Sequence, residues 1–82
     1  MSPLSRESIL AKVRPIIAEH LDQTPEAVTE TAGFMADLGA DSLDCVEMII
    51  AVEEALNVDI PDDAIDGLTS LGRVVDYLEG RV

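Results

Sequence analysis

The stretch "DLGADSLDCVEM" (Asp37–Met48) places one serine, Ser42, where a glycine-containing loop leads into an apolar helix, with carboxylates on both sides. Such a serine could be a nucleophile, a helix cap or an acceptor for a group that another enzyme attaches. A nucleophilic serine needs a base, an orienting group and oxyanion donors. The single histidine, His20, ends the predicted first helix and is expected to be structural, and "GADSL" is not the G-x-S-x-G turn of hydrolases. Hydrolysis by Ser42 is therefore disfavoured.

The residues around Ser42 leave the cap and the acceptor interpretations open. Asp41 and Ser42 both suit a helix N-terminus, where the helix dipole also favours the Asp41 carboxylate. A hydroxyl at this position would equally hold an attached phosphodiester near backbone N–H groups. Gly39 and Ala40 leave the approach open to a modifying enzyme.

The acids of "DIPDDAID" suggest a calcium loop, but the stretch lacks the alternating oxygens and the sixth-position glycine of an EF-hand. The sequence predicts no metal site. Crowded carboxylates are expected to bind divalent cations only loosely.

Helical periodicity dominates the chain and predicts an all-α fold, a small four-helix bundle with three longer helices and one short one. The helices are expected over about 5–21, from 41 or 42 to 56, from 61–63 to 67, and from 69 or 70 to 80. Pro15 predicts a kink or local break in the first helix. A long ordered loop, 22–41, is expected to be pinned to the core by Val28, Phe34, Met35 and Leu38. The whole chain, 1–82, is predicted to be a single domain.

The second helix has two apolar faces at 100° per residue. One face, expected to contact the core, carries Cys45, Ile49, Val52 and Leu56. The opposite face carries Leu43, Val46 and Ile50, with the acids Asp44, Glu47, Glu53 and Glu54 in or beside it. These seven residues, called the docking strip below, are typical of a protein-binding surface with an apolar centre and an acidic rim. The alternative is that the three apolar residues pack under the loop.

The charge of the chain restricts its partners. It has 17 Asp and Glu against 5 Lys and Arg, a formal net charge of −12, with no Lys or Arg from Pro15 to Gly72. The resulting negative electrostatic potential repels nucleic acid and anionic membranes and attracts basic protein surfaces. One cysteine, no apolar run long enough for a membrane span and no signal-peptide layout at the start predict a cytoplasmic protein. A processed organelle form would have the same features. The protein is expected to be a monomer.

"GADSLD" followed by "VEMIIAVEEALNVDIPDD" resembles the bacterial acyl carrier proteins of dissociated fatty acid synthesis, and the similarity covers nearly the whole chain. The resemblance implies that Ser42 carries 4′-phosphopantetheine, attached from coenzyme A by a phosphopantetheinyl transferase with Mg²⁺. The chain would then catalyse nothing. It would hold acyl groups as thioesters and present them to fatty acid or polyketide synthesis enzymes with basic docking surfaces.

The resemblance also implies residue roles. Partner recognition falls on Asp41, Leu43, Asp44, Val46, Glu47, Ile50, Glu53, Glu54 and Asp62. An acyl-chain cavity falls on Phe34, Cys45, Ile49, Val52, Ile65 and Leu68.

The chain departs from the family pattern at four places. Pro15 interrupts a helix that is usually continuous, and Asp22-Gln23 stand where glycine is frequent. Cys45 replaces a frequent threonine, and Ile50 replaces a frequent methionine. These departures leave open whether the carrier serves fatty acid synthesis or a specialised pathway such as polyketide synthesis. From a different class, an acidic interaction adaptor whose Ser42 only caps the helix remains an alternative.

Overall fold

The computed structural model describes residues 4–82. The chain forms α1 (Arg6–His20), a 3₁₀ helix (Pro25–Ala27), α2 (Ser42–Leu56), α3 (Asp62–Ile65) and α4 (Leu71–Leu78). Within these residues the only β-type pairing is an isolated antiparallel bridge between Gly33 and Ser70. The predicted all-helical fold is confirmed, whereas the 3₁₀ helix was not predicted. No helix between residues 4 and 82 is long and apolar enough to cross a membrane.

Helix α1 begins where its cap predicts, because the Ser5 hydroxyl accepts a hydrogen bond from the Ser8 backbone N–H at 3.2 Å. The helix then runs unbroken through Pro15 to His20. Of the two expected effects of Pro15, the local break is therefore wrong, and the kink stays a prediction. Pro15 has no backbone N–H to donate to the Ala11 carbonyl. Both residues are exposed, so water can donate a hydrogen bond to that carbonyl instead. Buried residues on both sides of the proline, including Val13 and Ile17, hold the helix in place.

The predicted long loop between α1 and α2 is ordered by backbone hydrogen bonds. The Phe34 N–H donates to the Thr69 carbonyl at 2.8 Å, and the Gly72 N–H donates to the Glu30 carbonyl at 2.9 Å. A Cβ atom on Gly72 would lie 2.8 Å from that same Glu30 oxygen, so the approach requires glycine. These bonds attach the loop to the start of α4.

Two of the four residues expected to pin this loop are buried. Val28 and Phe34 are each 1% exposed, and Leu38 is half-buried. Met35 is 56% exposed, so its expected place in the core is wrong. The turn that directs Phe34 inward leaves its neighbour at the surface.

The core is formed by α1, α2 and α4 together with the loop. Helix α1 contacts both α2 and α4. The predicted stripe of α4 is confirmed, since Leu71, Val74, Val75 and Leu78 are fully buried. Helix α2 buries Met48, Ile49 and Val52. The predicted core face did not include Met48. The observed core face of α2 is therefore wider than the predicted one, which comprised Cys45, Ile49, Val52 and Leu56.

Candidate functional site

Helix α2 begins with a division of roles between Asp41 and Ser42. Asp41 is the N-cap, and its carboxylate accepts a hydrogen bond from the Asp44 N–H at 2.8 Å. The Asp41 N–H in turn donates to the Asp44 carboxylate at 3.1 Å, which completes a capping box. Ser42 is the first helical residue, so its interpretation as the helix cap is wrong.

The Ser42 hydroxyl is exposed, and within residues 4–82 it makes no side-chain hydrogen bond. The preceding loop turns at Gly39, whose φ of +75° favours glycine. The Ala40 N–H then donates to the Phe34 carbonyl at 2.9 Å, which fixes the approach to α2. The serine is thus held at the positive end of a 15-residue helix with a free hydroxyl.

The surroundings of Ser42 supply no catalytic triad. The histidine Nε2 lies 3.5 Å from Glu47 Oε1 rather than on the serine hydroxyl. In the described chain no base is hydrogen-bonded to Ser42, whereas a serine nucleophile of a hydrolase is activated by such a base.

A cleft of about 430 Å³ opens beside Ser42 and is lined mainly by apolar side chains. Four of the six predicted cavity residues lie on its wall: Phe34, Cys45, Ile65 and Leu68. Ile49 and Val52 do not line it and are 1% and 0% exposed in the core. Met35, Val46 and Thr69 line the cleft although they were not predicted to do so. The position of Val46 one helical turn after Ser42 is the sequence signal that could have identified it.

Cys45 contributes a neutral thiol to this cleft. It is half-buried, and burial is the main cause that raises its pKa above the ordinary value of a thiol. The negative charges of Asp44 and Asp41 raise the pKa further. The thiol is therefore protonated at neutral pH and acts as part of an apolar wall.

The apolar centre of the docking strip is on the surface. Leu43, Val46 and Ile50 are 64%, 39% and 46% exposed. The predicted second face of α2 is confirmed, and the alternative that these residues pack under the loop is wrong.

The acids near the strip differ in their surroundings. Asp41, Glu47, Glu54 and Asp62 are exposed. Asp44 and Glu53 are half-buried and hold backbone groups: Asp44 belongs to the capping box, and Glu53 Oε2 accepts the Ile60 N–H at 2.9 Å. These two carboxylates therefore have structural as well as surface roles.

Comparison with known proteins identifies the kind of site. Residues 11–78 match the family model described as "Phosphopantetheine attachment site". The chain is 49% identical over 74 residues to the acyl carrier protein of Phenylobacterium zucineum strain HLK1, which covers 90% of this chain and 94% of that protein. The chain belongs to the acyl carrier protein family. The acyl carrier protein of Caulobacter vibrioides strain NA1000 / CB15N is 51% identical over 70 residues, covering 85% of this chain and 90% of that protein.

Membership of this family confirms the resemblance drawn from "GADSLD" and the acidic helix. The chain is a carrier rather than a catalyst, and its prosthetic group is phosphopantetheine. The region matched to the family model includes Ser42, the docking strip and every residue of the cleft. An exposed, unbonded hydroxyl beside an apolar cleft fits a group that needs one covalent attachment and room for a flexible arm.

Proposed function

We propose that Ser42 Oγ is the attachment point of 4′-phosphopantetheine and that the chain carries acyl intermediates of fatty acid biosynthesis as thioesters. The observation that supports this most directly is the free, exposed hydroxyl of Ser42 at the start of α2, at the edge of the 430 Å³ cleft. Asp41 performs the capping, so the hydroxyl has no structural role that modification would remove.

The chain contributes the acceptor oxygen, and a phosphopantetheinyl transferase contributes the activation. Ser42 Oγ attacks the phosphorus of coenzyme A that bears the pantetheine arm, and the bond to the adenosine bisphosphate breaks. The serine proton passes to a base of the transferase, and Mg²⁺ stabilises the charge on the phosphates. When attached, the arm supplies the thiol that holds the acyl group.

The cleft shelters part of the acyl chain. Phe34, Cys45, Ile65 and Leu68 provide an apolar wall beside the attachment point. Each methylene buried there stabilises the loaded form by about 0.8 kcal/mol. Longer chains reach Ile49 and Val52 only if the core opens, since both are now buried. The total gain stays small enough for a partner enzyme to withdraw the chain.

The docking strip and its exposed acids bind the partner enzymes. Leu43, Val46 and Ile50 supply apolar area, and carboxylates at Asp41, Glu47, Glu54 and Asp62 orient a basic surface. Asp44 and Glu53 contribute charge from half-buried positions. We assign these roles to a cytoplasmic monomer whose residues 1–82 form one domain, with the transferase and the fatty acid synthesis enzymes as partners and no nucleic acid.

Intact-protein mass spectrometry tests the attachment. The unmodified chain is incubated with coenzyme A, Mg²⁺ and a broad-specificity phosphopantetheinyl transferase. We expect a mass gain of one phosphopantetheine on the native chain and none on Ser42→Ala. Circular dichroism checks that both proteins are folded. No gain on the folded native chain, or an equal gain on the variant, would contradict the assignment of Ser42.

A second step tests the pathway. The loaded carrier is supplied to purified bacterial enzymes of dissociated fatty acid synthesis, and its acyl group is followed by mass. Stepwise two-carbon elongation is expected. Loading without elongation would leave the carrier role intact and contradict the assignment to fatty acid biosynthesis.

A further inference from the structure

Three potential metal ligands meet where the end of α1 contacts the first turns of α2. They are His20, Asp44 and Glu47, and one ligand atom from each lies within 4.8 Å of the other two. His20 Nε2 is 3.5 Å from Glu47 Oε1. Asp44 also belongs to the capping box, and none of the three residues lines the cleft.

We propose that His20, Asp44 and Glu47 form a binding site for one Zn²⁺ or a similar transition-metal ion. An imidazole nitrogen with two carboxylate oxygens is a donor set that suits zinc. Ca²⁺ and Mg²⁺ prefer oxygen ligands alone, so the histidine distinguishes this site from loose binding of divalent cations by acids.

One of the three ligand separations matches a single tetrahedral ion, and the other two are at most 4.8 Å. Zinc bonds of roughly 2.0–2.2 Å place two ligands about 3.4 Å apart. The His20–Glu47 separation of 3.5 Å already matches this value. The third ligand atom must approach by about 1.4 Å at most. The His20 and Glu47 side chains are 28% and 50% exposed, so both can rotate toward Asp44. Water would complete the coordination.

The capping box uses only one of the two carboxylate oxygens of Asp44. Asp44 Oδ2 accepts the Asp41 N–H, and Oδ1 has no hydrogen-bond partner in the described part of the chain. The charge of the chain also favours a cation here, since neither Lys nor Arg occurs from Pro15 to Gly72. A bound ion would neutralise two carboxylates of the docking strip; this consequence, unlike the site itself, rests on the proposed function.

The sequence pattern does not indicate this site, because its ligands are not grouped along the chain. His20 closes the first helix, whereas Asp44 and Glu47 lie beyond the long loop. Only the packing of α1 against α2 brings the imidazole to the carboxylates.

Titration of the unmodified protein with ZnCl₂ tests the proposal, with isothermal calorimetry for stoichiometry and NMR of the single histidine ring for location. We expect one ion per chain and a saturable shift of the His20 imidazole signals. His20→Gln and Glu47→Gln should each weaken binding at least tenfold. Glu54→Gln removes the same charge as Glu47→Gln from the same helix without removing a ligand, and should change the affinity less than twofold.

Equal affinity of the native chain and His20→Gln would overturn the proposal, since it would show diffuse carboxylate binding. Equal losses in Glu47→Gln and Glu54→Gln would overturn it for the same reason. The helix content of each variant, measured by circular dichroism, excludes loss of folding as the cause.

Discussion

At the scale of single residues, two potential nucleophiles line the cleft one helical turn apart and differ in their exposure to solvent. The Ser42 hydroxyl is exposed and unbonded, whereas the Cys45 thiol is half-buried. Burial, followed by the charges of Asp44 and Asp41, raises the pKa of Cys45. Since the thiolate is the reactive form, a raised pKa makes Cys45 a poor competitor for electrophiles. An acyl group in the proposed site beside this cleft would thereby be protected from transfer to Cys45.

The pH dependence of Cys45 alkylation checks this argument. With iodoacetamide and the unmodified protein, the rate should follow the thiolate fraction and reach half its maximum at a higher pH than for a small cysteine peptide. The raised pKa sets this sign, because less thiolate is present at any given pH. The same chain unfolded in urea is the matched control and should behave like the peptide. A midpoint at or below that of the peptide would contradict the argument.

At the scale of helices, the start of α2 depends on the Asp41–Asp44 capping box, which leaves Ser42 free. Asp41→Ala should lower the free energy of unfolding by about 1 kcal/mol, because the helix loses a side-chain acceptor at its N-terminus. Asp41→Asn removes the same charge but keeps an acceptor and should change stability little. Ser42→Ala should also fall within about 0.5 kcal/mol of the native chain.

Urea unfolding of the three variants at one ionic strength measures these differences. A loss in Ser42→Ala as large as that in Asp41→Ala would show that the serine does stabilise the helix. Equal losses in Asp41→Ala and Asp41→Asn would assign the effect to charge rather than to capping.

The helices also show what the sequence could predict. Their starts were close to the predicted positions because caps are local: Ser5, Asp41 and Ser70 each accept a hydrogen bond from a backbone N–H three residues on. The unbroken helix at Pro15 and the burial of Met48 depend on neighbouring elements, which local patterns do not contain. The docking strip could be predicted from the helical period, but the division of the cavity residues between cleft and core could not.

At the scale of the whole molecule, the charges are unevenly compensated. Arg6 binds Asp76 at 2.7 Å and Glu30 at 2.5 Å, and it also contacts Glu79. These contacts join the start of α1 to the loop and to α4, and the hydrogen bonds raise the pKa of Arg6, led by the one to Glu30. From Pro15 to Gly72 no Lys or Arg offsets the remaining acids. Mutual repulsion among carboxylates should therefore oppose folding.

This balance predicts that salt stabilises the fold. Added NaCl weakens the ion pairs of Arg6 and the repulsion among acids together, since the Debye length falls to about 10 Å at 0.1 M. Because 17 acids outnumber 5 bases, relief of repulsion should exceed the loss of ion pairs. The melting temperature should rise by about 5 °C or more between low salt and 0.1 M NaCl, which corresponds to about 1 kcal/mol in a domain of this length.

Mg²⁺ or Ca²⁺ at equal ionic strength should raise the melting temperature further. The melting temperature of His20→Gln should still rise with Mg²⁺, because Mg²⁺ binds carboxylate oxygens and does not need the imidazole. A melting temperature that did not respond to salt or divalent ions would show that repulsion does not limit the stability of this chain.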